Sequence, residues 1–176
     1  MAVQNIFSAN RIAAAGGGFE PQRVRNFIFS VTLGVGGQDL IQLCIEKAFL
    51  PSETTEEIEI WYGNEVRKVA GPTKFEDGTL SIKDFVDQAA YAQCVAWRRQ
   101  VYNADDGSIG MAAVYKKEAS ITLYAPNGTT ARVIKLIGCW PKALKANDLD
   151  YTANEKVLVE MTLAYDKADY VFAKTA

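Results

Sequence analysis

Residues 115–165 read YKKEASITLYAPNGTTARVIKLIGCWPKALKANDLDYTANEKVLVEMTLAY, and this stretch decides the fold. Ser120–Ala125 and Ala131–Ile137 read as two strands joined at Asn127-Gly128. Asn-Gly in a two-residue loop is a strong hairpin signal, because a type I′ turn needs positive φ at both central positions. Gly138-Cys139-Trp140-Pro141 follows, then a polar connection ending near Asp150. A last strand over Val157–Tyr165 places Val157, Val159, Met161, Leu163 and Tyr165 on one face, with Leu158, Glu160 and Thr162 on the other.

Upstream, Phe27, Phe29, Val31, Leu33 and Val35 alternate along a first strand within Val24–Val35, and Gly36-Gly37 turns the chain. Leu40–Phe49 reads as a second strand that ends at Leu50-Pro51, since proline cannot donate to a ladder. Gly78–Ile82 reads as a short strand. Lys83–Tyr102 reads as the one helix, with Ser81 and Asp84 as candidate caps. Phe85, Ala89, Ala92 and Ala96 form a small-residue stripe on it, beside Val86, Ala90, Trp97 and Val101. The fold class is therefore mainly β: long, partly charged strands, one α-helix and a projecting hairpin arm.

That arm occupies Ser52–Thr73. Glu53, Glu56, Glu57 and Glu59 cluster in its first half, and Arg67, Lys68 and Lys74 follow. Ile58, Ile60 and Tyr62 alternate with Glu57, Glu59 and Trp61. Two readings stand: a solvated, charge-laced edge that blocks aggregation, or an arm that docks on a neighbouring copy. Residues 1–22, with Ala13-Ala14-Ala15-Gly16-Gly17-Gly18, read as a flexible leader, and 23–176 as a single domain. The glycine run has neither a preceding strand nor a following Lys-Ser/Thr, so it is not a phosphate loop.

Little in the chain points to chemistry. It contains no histidine, which removes Ser-His-Asp and Cys-His catalysis and any His-ligated metal. Cys44, Cys94 and Cys139 are odd in number and lack CxxC spacing, so they read as small buried hydrophobes rather than a disulfide or zinc framework. Asp105-Asp106-Gly107 lacks the remaining ligand spacing of a calcium loop and reads as a polar turn. Glu57 and Glu59 as a catalytic carboxylate pair are outweighed by their charge-rich setting. No cofactor is expected. The 19 basic and 21 acidic residues leave a formal charge of -2, against a protein that holds nucleic acid through phosphates. No apolar h-region or membrane-length apolar run is evident, so the expectation is a soluble chain made in a cytosol.

From about Arg25 to Tyr165 the chain resembles the tail tube proteins of contractile-tailed bacteriophages. The resemblance rests on an ordered series: Phe27–Leu33, Leu50-Pro51, the acidic-then-basic arm, Gly71 and Phe75, Thr79–Ile82, and Trp97 in a helix. Gly138-Cys139-Trp140-Pro141, Leu149-Asp150, Glu160 and Tyr165-Asp166 complete it. The glycine-rich leader and Cys139 depart from the pattern. The resemblance implies a β-sandwich or barrel-like subunit with one flanking α-helix, a non-enzymatic virion protein assembled in the host cytoplasm, whose hexameric rings stack into the inner tube of a contractile tail. Its implied partners are further copies of itself, a sheath protein, a tape measure, a baseplate hub or initiator and a tail terminator. DNA would pass through the lumen without sequence-specific binding.

Under this reading Glu53, Glu56, Glu57, Glu59, Trp61, Arg67, Lys68 and Lys74 are expected to make subunit or inter-ring contacts. Gln42, Glu46, Glu57 and Glu59 are expected among the lumen-facing groups. The inner tube of a pyocin, of type VI secretion or of an extracellular injection system shares this pattern. A monomeric β-rich binding module is the reading from a different class.

Overall fold

A computed structural model describes residues 22–31, 33, 38–86, 89–147, 150, 152 and 155–172. Residues 1–21 of the leader, Val35, the Gly36-Gly37 turn and Leu149 lie outside these. In chain order the elements are β1 (Phe27–Val31), α1 (Gln38–Cys44), β2 (Ile45–Lys47), β3 (Glu53–Tyr62), β4 (Glu65–Phe75) and β5 (Gly78–Lys83). Then come α2 (Ala89–Val101), α3 (Ala112–Tyr115), β6 (Lys117–Tyr124), β7 (Thr130–Ala146), β8 (Leu158–Ala164) and β9 (Lys167–Phe172). Seven strands form one antiparallel sheet, ordered β1-β6-β7-β8-β5-β2 with β9 also on β7, while β3 and β4 pair only with each other. The sheet curls into a half-barrel of the expected mainly-β class.

The organising strand is β7, 17 residues long. Its first half pairs with β6 on one side and β9 on the other; its second half pairs with β8. The pairing with β8 and β9 is continuous: Trp140 faces Ala164, Ile137 faces Lys167, and between them the Asp166 amide donates to the Ile137 carbonyl at 2.9 Å. A straight ribbon of that length could not enclose a core. The bend falls at Gly138, whose φ of +67° is left-handed, and a Cβ there would run into the Asp166 carboxylate. Lys116 reaches the same carboxylate at 2.7 Å, tying the start of β6 to the bend. Pro141 lies at the irregularity in the β7–β8 pairing, where a missing donor is tolerated.

The half-barrel buries Phe29, Val31, Ile121, Ile134 and Leu136 from one side of β7, and Leu80, Ile82, Val159, Met161 and Leu163 from the other. α2 closes the concave face. Trp97 is 1% exposed, and its indole N–H donates to the Tyr115 carbonyl at 2.9 Å, so this large ring is buried without an orphaned donor. Tyr115 in turn meets Trp140 edge-on at 5.7 Å.

Several expectations are corrected. Leu40–Phe49 is not one strand. Ile41 and Cys44 are buried while Leu43 is exposed, a helical spacing, and only Ile45–Lys47 is extended. There are thus three helical segments among the described residues, not one. The main helix occupies Ala89–Val101 rather than Lys83–Tyr102. Ser81 and Lys83 belong to β5, and the Asp84 amide bonds the Val157 carbonyl, so neither Ser81 nor Asp84 caps the helix.

The buried face of α2 is Ala90, Cys94, Trp97 and Val101; Ala92 and Ala96 face solvent, and Phe85 and Val86 are exposed ahead of it. The large side chains win the buried face because they remove more apolar area from water. At the hairpin, Pro126 favours the second position of a wider turn. Gly128 has a positive φ (+83°), its amide donates to the Ala125 carbonyl, and the Ala125 amide donates to the Thr129 carbonyl. The polar connection after Pro141 is in fact strand to Ala146, and β9 adds a strand beyond Tyr165.

All three cysteines are buried. Burial pushes the Cys94 and Cys139 thiols up to about 12, with Cys44 and Asp84 adding to the effect at Cys94. Native protein at pH 8 is therefore expected to resist thiol alkylation, with labelling appearing only on unfolding. The unfolded chain ionises its thiols near 9 while the fold keeps these two protonated, so stability is full below pH 9 and falls as pH rises toward 12. Gly138→Ala is expected to cost about 1–3 kcal/mol in urea denaturation, because it combines left-handed strain with the clash at Asp166.

Candidate assembly interface

The arm is the ribbon β3–β4, and every residue of β3 is exposed. Its two halves differ. Near the root, Glu53 faces Phe75 and Thr55 faces Thr73; the register then shifts at Glu56 against Gly71-Pro72, and Glu57 faces Ala70. A bulge with proline is a common way to twist a ribbon and end edge pairing.

The root is bolted to the half-barrel. Phe49 stacks on Tyr165 at 5.8 Å, and Phe75 packs on the same ring at 5.9 Å. The Tyr170 hydroxyl donates to the Pro51 carbonyl at 3.2 Å. Glu76 accepts from the Ser52 hydroxyl at 2.9 Å and the Thr54 hydroxyl at 3.3 Å, while its amide donates to the Ser52 carbonyl at 3.1 Å. Charge patterning could not single out Phe49, Phe75, Tyr165, Tyr170 and Glu76, since they meet only once β4 returns beside β8 and β9. Their one sequence signal was aromatic residues flanking the charged segment.

Beyond the bulge the ribbon has two distinct faces. On one, Glu59 faces Lys68 and Trp61 faces Val66; on the other, Ile58 faces Val69, Ile60 faces Arg67 and Tyr62 faces Glu65. Lys68 bridges Glu57 at 2.8 Å and Glu59 at 3.6 Å, Lys74 is paired with Glu56, and the Arg67 guanidinium lies over the Tyr62 ring at 5.7 Å. The acidic and basic limbs thus face each other within one arm. Beside these exposed ion pairs the arm also presents apolar groups: Ile58, Ile60, Tyr62 and Val69 on one face, and Trp61 (67% exposed) and Val66 on the other. A two-stranded ribbon of this kind is marginal alone in water, and a contiguous apolar patch marks an interaction surface.

The four residues expected at a lumen fall in two places: Gln42 and Glu46 line one small cleft with Lys83, and Glu57 and Glu59 share Lys68 on one face of the arm. Gln42 lies on α1, Glu46 on β2, and Glu57 and Glu59 on the arm. Lys156 bonds Glu46 at 2.5 Å and holds its carboxyl below the ordinary range. Asp106, from the calcium-like fragment, accepts from the Ser108 amide and hydroxyl in its own turn. Among the described residues no helix is long and apolar enough to cross a membrane.

An open half-barrel bearing a rigid arm with exposed apolar groups is the architecture of a structural subunit that works by association, not of an enzyme. The chain belongs to the family described as T4-like virus tail tube protein gp19, whose model matches residues 25–169. It is 31% identical to tail tube protein gp19 of Enterobacteria phage T4 over 144 residues, 79% of this chain and 86% of that one. The fold recurs in the anti-feeding prophage tube-terminating cap, with TM-score 0.68 and 22% identity over 87% of this chain and 92% of that one. It recurs also in the sheath-tube complex of an extracellular contractile injection system, with TM-score 0.65 and 21% identity over 94% and 99%. The protein is a structural tail tube protein.

Because the arm's ion pairs are exposed and screened, they contribute little to the fold of one copy. Lys68→Ala is expected to change monomer stability by less than about 1 kcal/mol in chemical denaturation.

Proposed function

We propose that this chain forms stacked hexameric rings, the inner tube of a contractile phage tail through which the genome leaves the capsid. The observation that carries this is the arm: a ribbon bolted at its root to the half-barrel that exposes Ile58, Ile60, Trp61 and Tyr62 to solvent. Arm and body are different surfaces, so their contact is head-to-tail, and repetition about an axis closes a ring or extends a stack. The formal charge of -2 suits a conduit, because cationic walls would hold phosphates by counterion release.

Tube, terminating cap and sheath-tube relatives support partners of the same kinds: more copies, a sheath, a terminator and a baseplate. A tape measure inside the tube and assembly in the host cytoplasm belong to the same reading. The arm residues Glu53, Glu56, Glu57, Glu59, Trp61, Arg67, Lys68 and Lys74 are its proposed contact set, with the exposed apolar groups as the energetic centre. An extracellular injection tube is the second reading, favoured by the fold likeness to those assemblies.

Negative-stain electron microscopy with light scattering tests the proposal. Wild-type protein is expected to give rings or hollow tubes, and Ile60→Asp with Trp61→Asp to give folded particles near 19.3 kDa only. Normal tubes from that double variant would remove the arm from assembly.

A further inference from the structure

The half-barrel does not close on itself, since β1 and β2 are the two ends of the strand order. At that seam lies a cleft of about 560 Å3. Phe27, Phe49, Ile121 and Leu123 are its main apolar lining, the last two buried, and Arg23, Lys47 and Arg132 line it as cations. Val24 and Leu50 line it too, 93% and 59% exposed. Apolar walls with a few charged groups among them are the usual makeup of a site that receives another side chain.

The apolar surface that matches it is the distal end of the arm, where Trp61 and Tyr62 are 67% and 62% exposed. The arm cannot reach the cleft of its own chain. It starts at Glu53, three residues after Leu50 in the cleft wall, and its ten-residue first strand carries the tip about 33 Å away. Charge favours the same match. Residues 53–75 hold five glutamates against Arg67, Lys68 and Lys74, a surplus of two negative charges. The one acid lining the cleft, Glu46, is already held by Lys156. Glu65, paired across the turn with Tyr62, would arrive beside Lys47 and Arg132.

We propose that the Trp61-Tyr62 end of one copy's arm seats in the β1–β2 cleft of a second copy. This rests on the tube reading and adds the receptor surface to it. Knob and socket occupy different parts of the subunit, so the contact propagates from copy to copy instead of ending at a dimer.

The native thiols are buried, so introduced cysteines report alone. The double variant Val24→Cys/Tyr62→Cys, assembled and treated with a short bis-maleimide, is expected to give a ladder of covalent oligomers on a denaturing gel. Mixed single variants should give dimers only, and either single variant alone should give none. If this pair disrupts assembly, Leu50→Cys/Trp61→Cys supplies the same readout. Variant tubes that form normally without cross-links would overturn the inference while leaving the tube role intact. Wild-type protein that never assembles would instead bring down the reading beneath it.

Discussion

Everything in this structure depends on one strand being long enough to serve two half-sheets and bent enough to let them face each other. β7 supplies 17 residues of backbone that pair with β6, β8 and β9. The bend needs a residue free to adopt φ of +67°, and Gly138 supplies it where no side chain fits beside Asp166. Lys116 then fixes the Asp166 side of the kink. Without the bend, the rows through Ile134 and Leu136 on one half and Met161 and Leu163 on the other would not share a core.

The same bend creates the platform for the arm. Tyr165, just past the end of β8, and Tyr170, on β9, hold the arm root through Phe49, Phe75 and the Pro51 carbonyl. A ribbon that would be marginal by itself is thus aimed as a rigid lever. Its salt bridges are internal and exposed, so they contribute little energy but keep the two strands in register and the charged groups occupied. Under the proposed assembly, hydrophobic burial would be the main driving force at the arm, with charge steering the approach.

How far the sequence was legible depended on whether a residue's neighbours are local. The alternation in Phe27–Val31, Gly78–Ile82 and Val159–Leu163 gave real strands, because a period of two is written in the chain itself. The arm was visible from its glutamates and lysines, and their pairing follows from antiparallel register. By contrast, the short apolar run around Ile41–Cys44 fits helix and strand alike, and its packing against β1 and α2 decided for helix. The small-residue stripe on α2 was misleading because the Trp97 face had more apolar area to bury. Gln42 was expected on a strand with Glu46, and the helix over Gln38–Cys44 takes it instead, though both residues still line one cleft.

The sequence by itself determined the mainly-β class, the presence of an arm and the poverty of catalytic groups. It also carried an ordered set of residues sufficient to mark the tail tube family. These are properties of composition, of short-range period and of motif order. Only the tertiary structure decided that β7 is shared and kinked, that the aromatic root clamps the arm, and that an apolar cleft opens between β1 and β2. Each of those joins residues far apart in the chain, and such meetings are set by the closing of the whole core rather than by any local pattern.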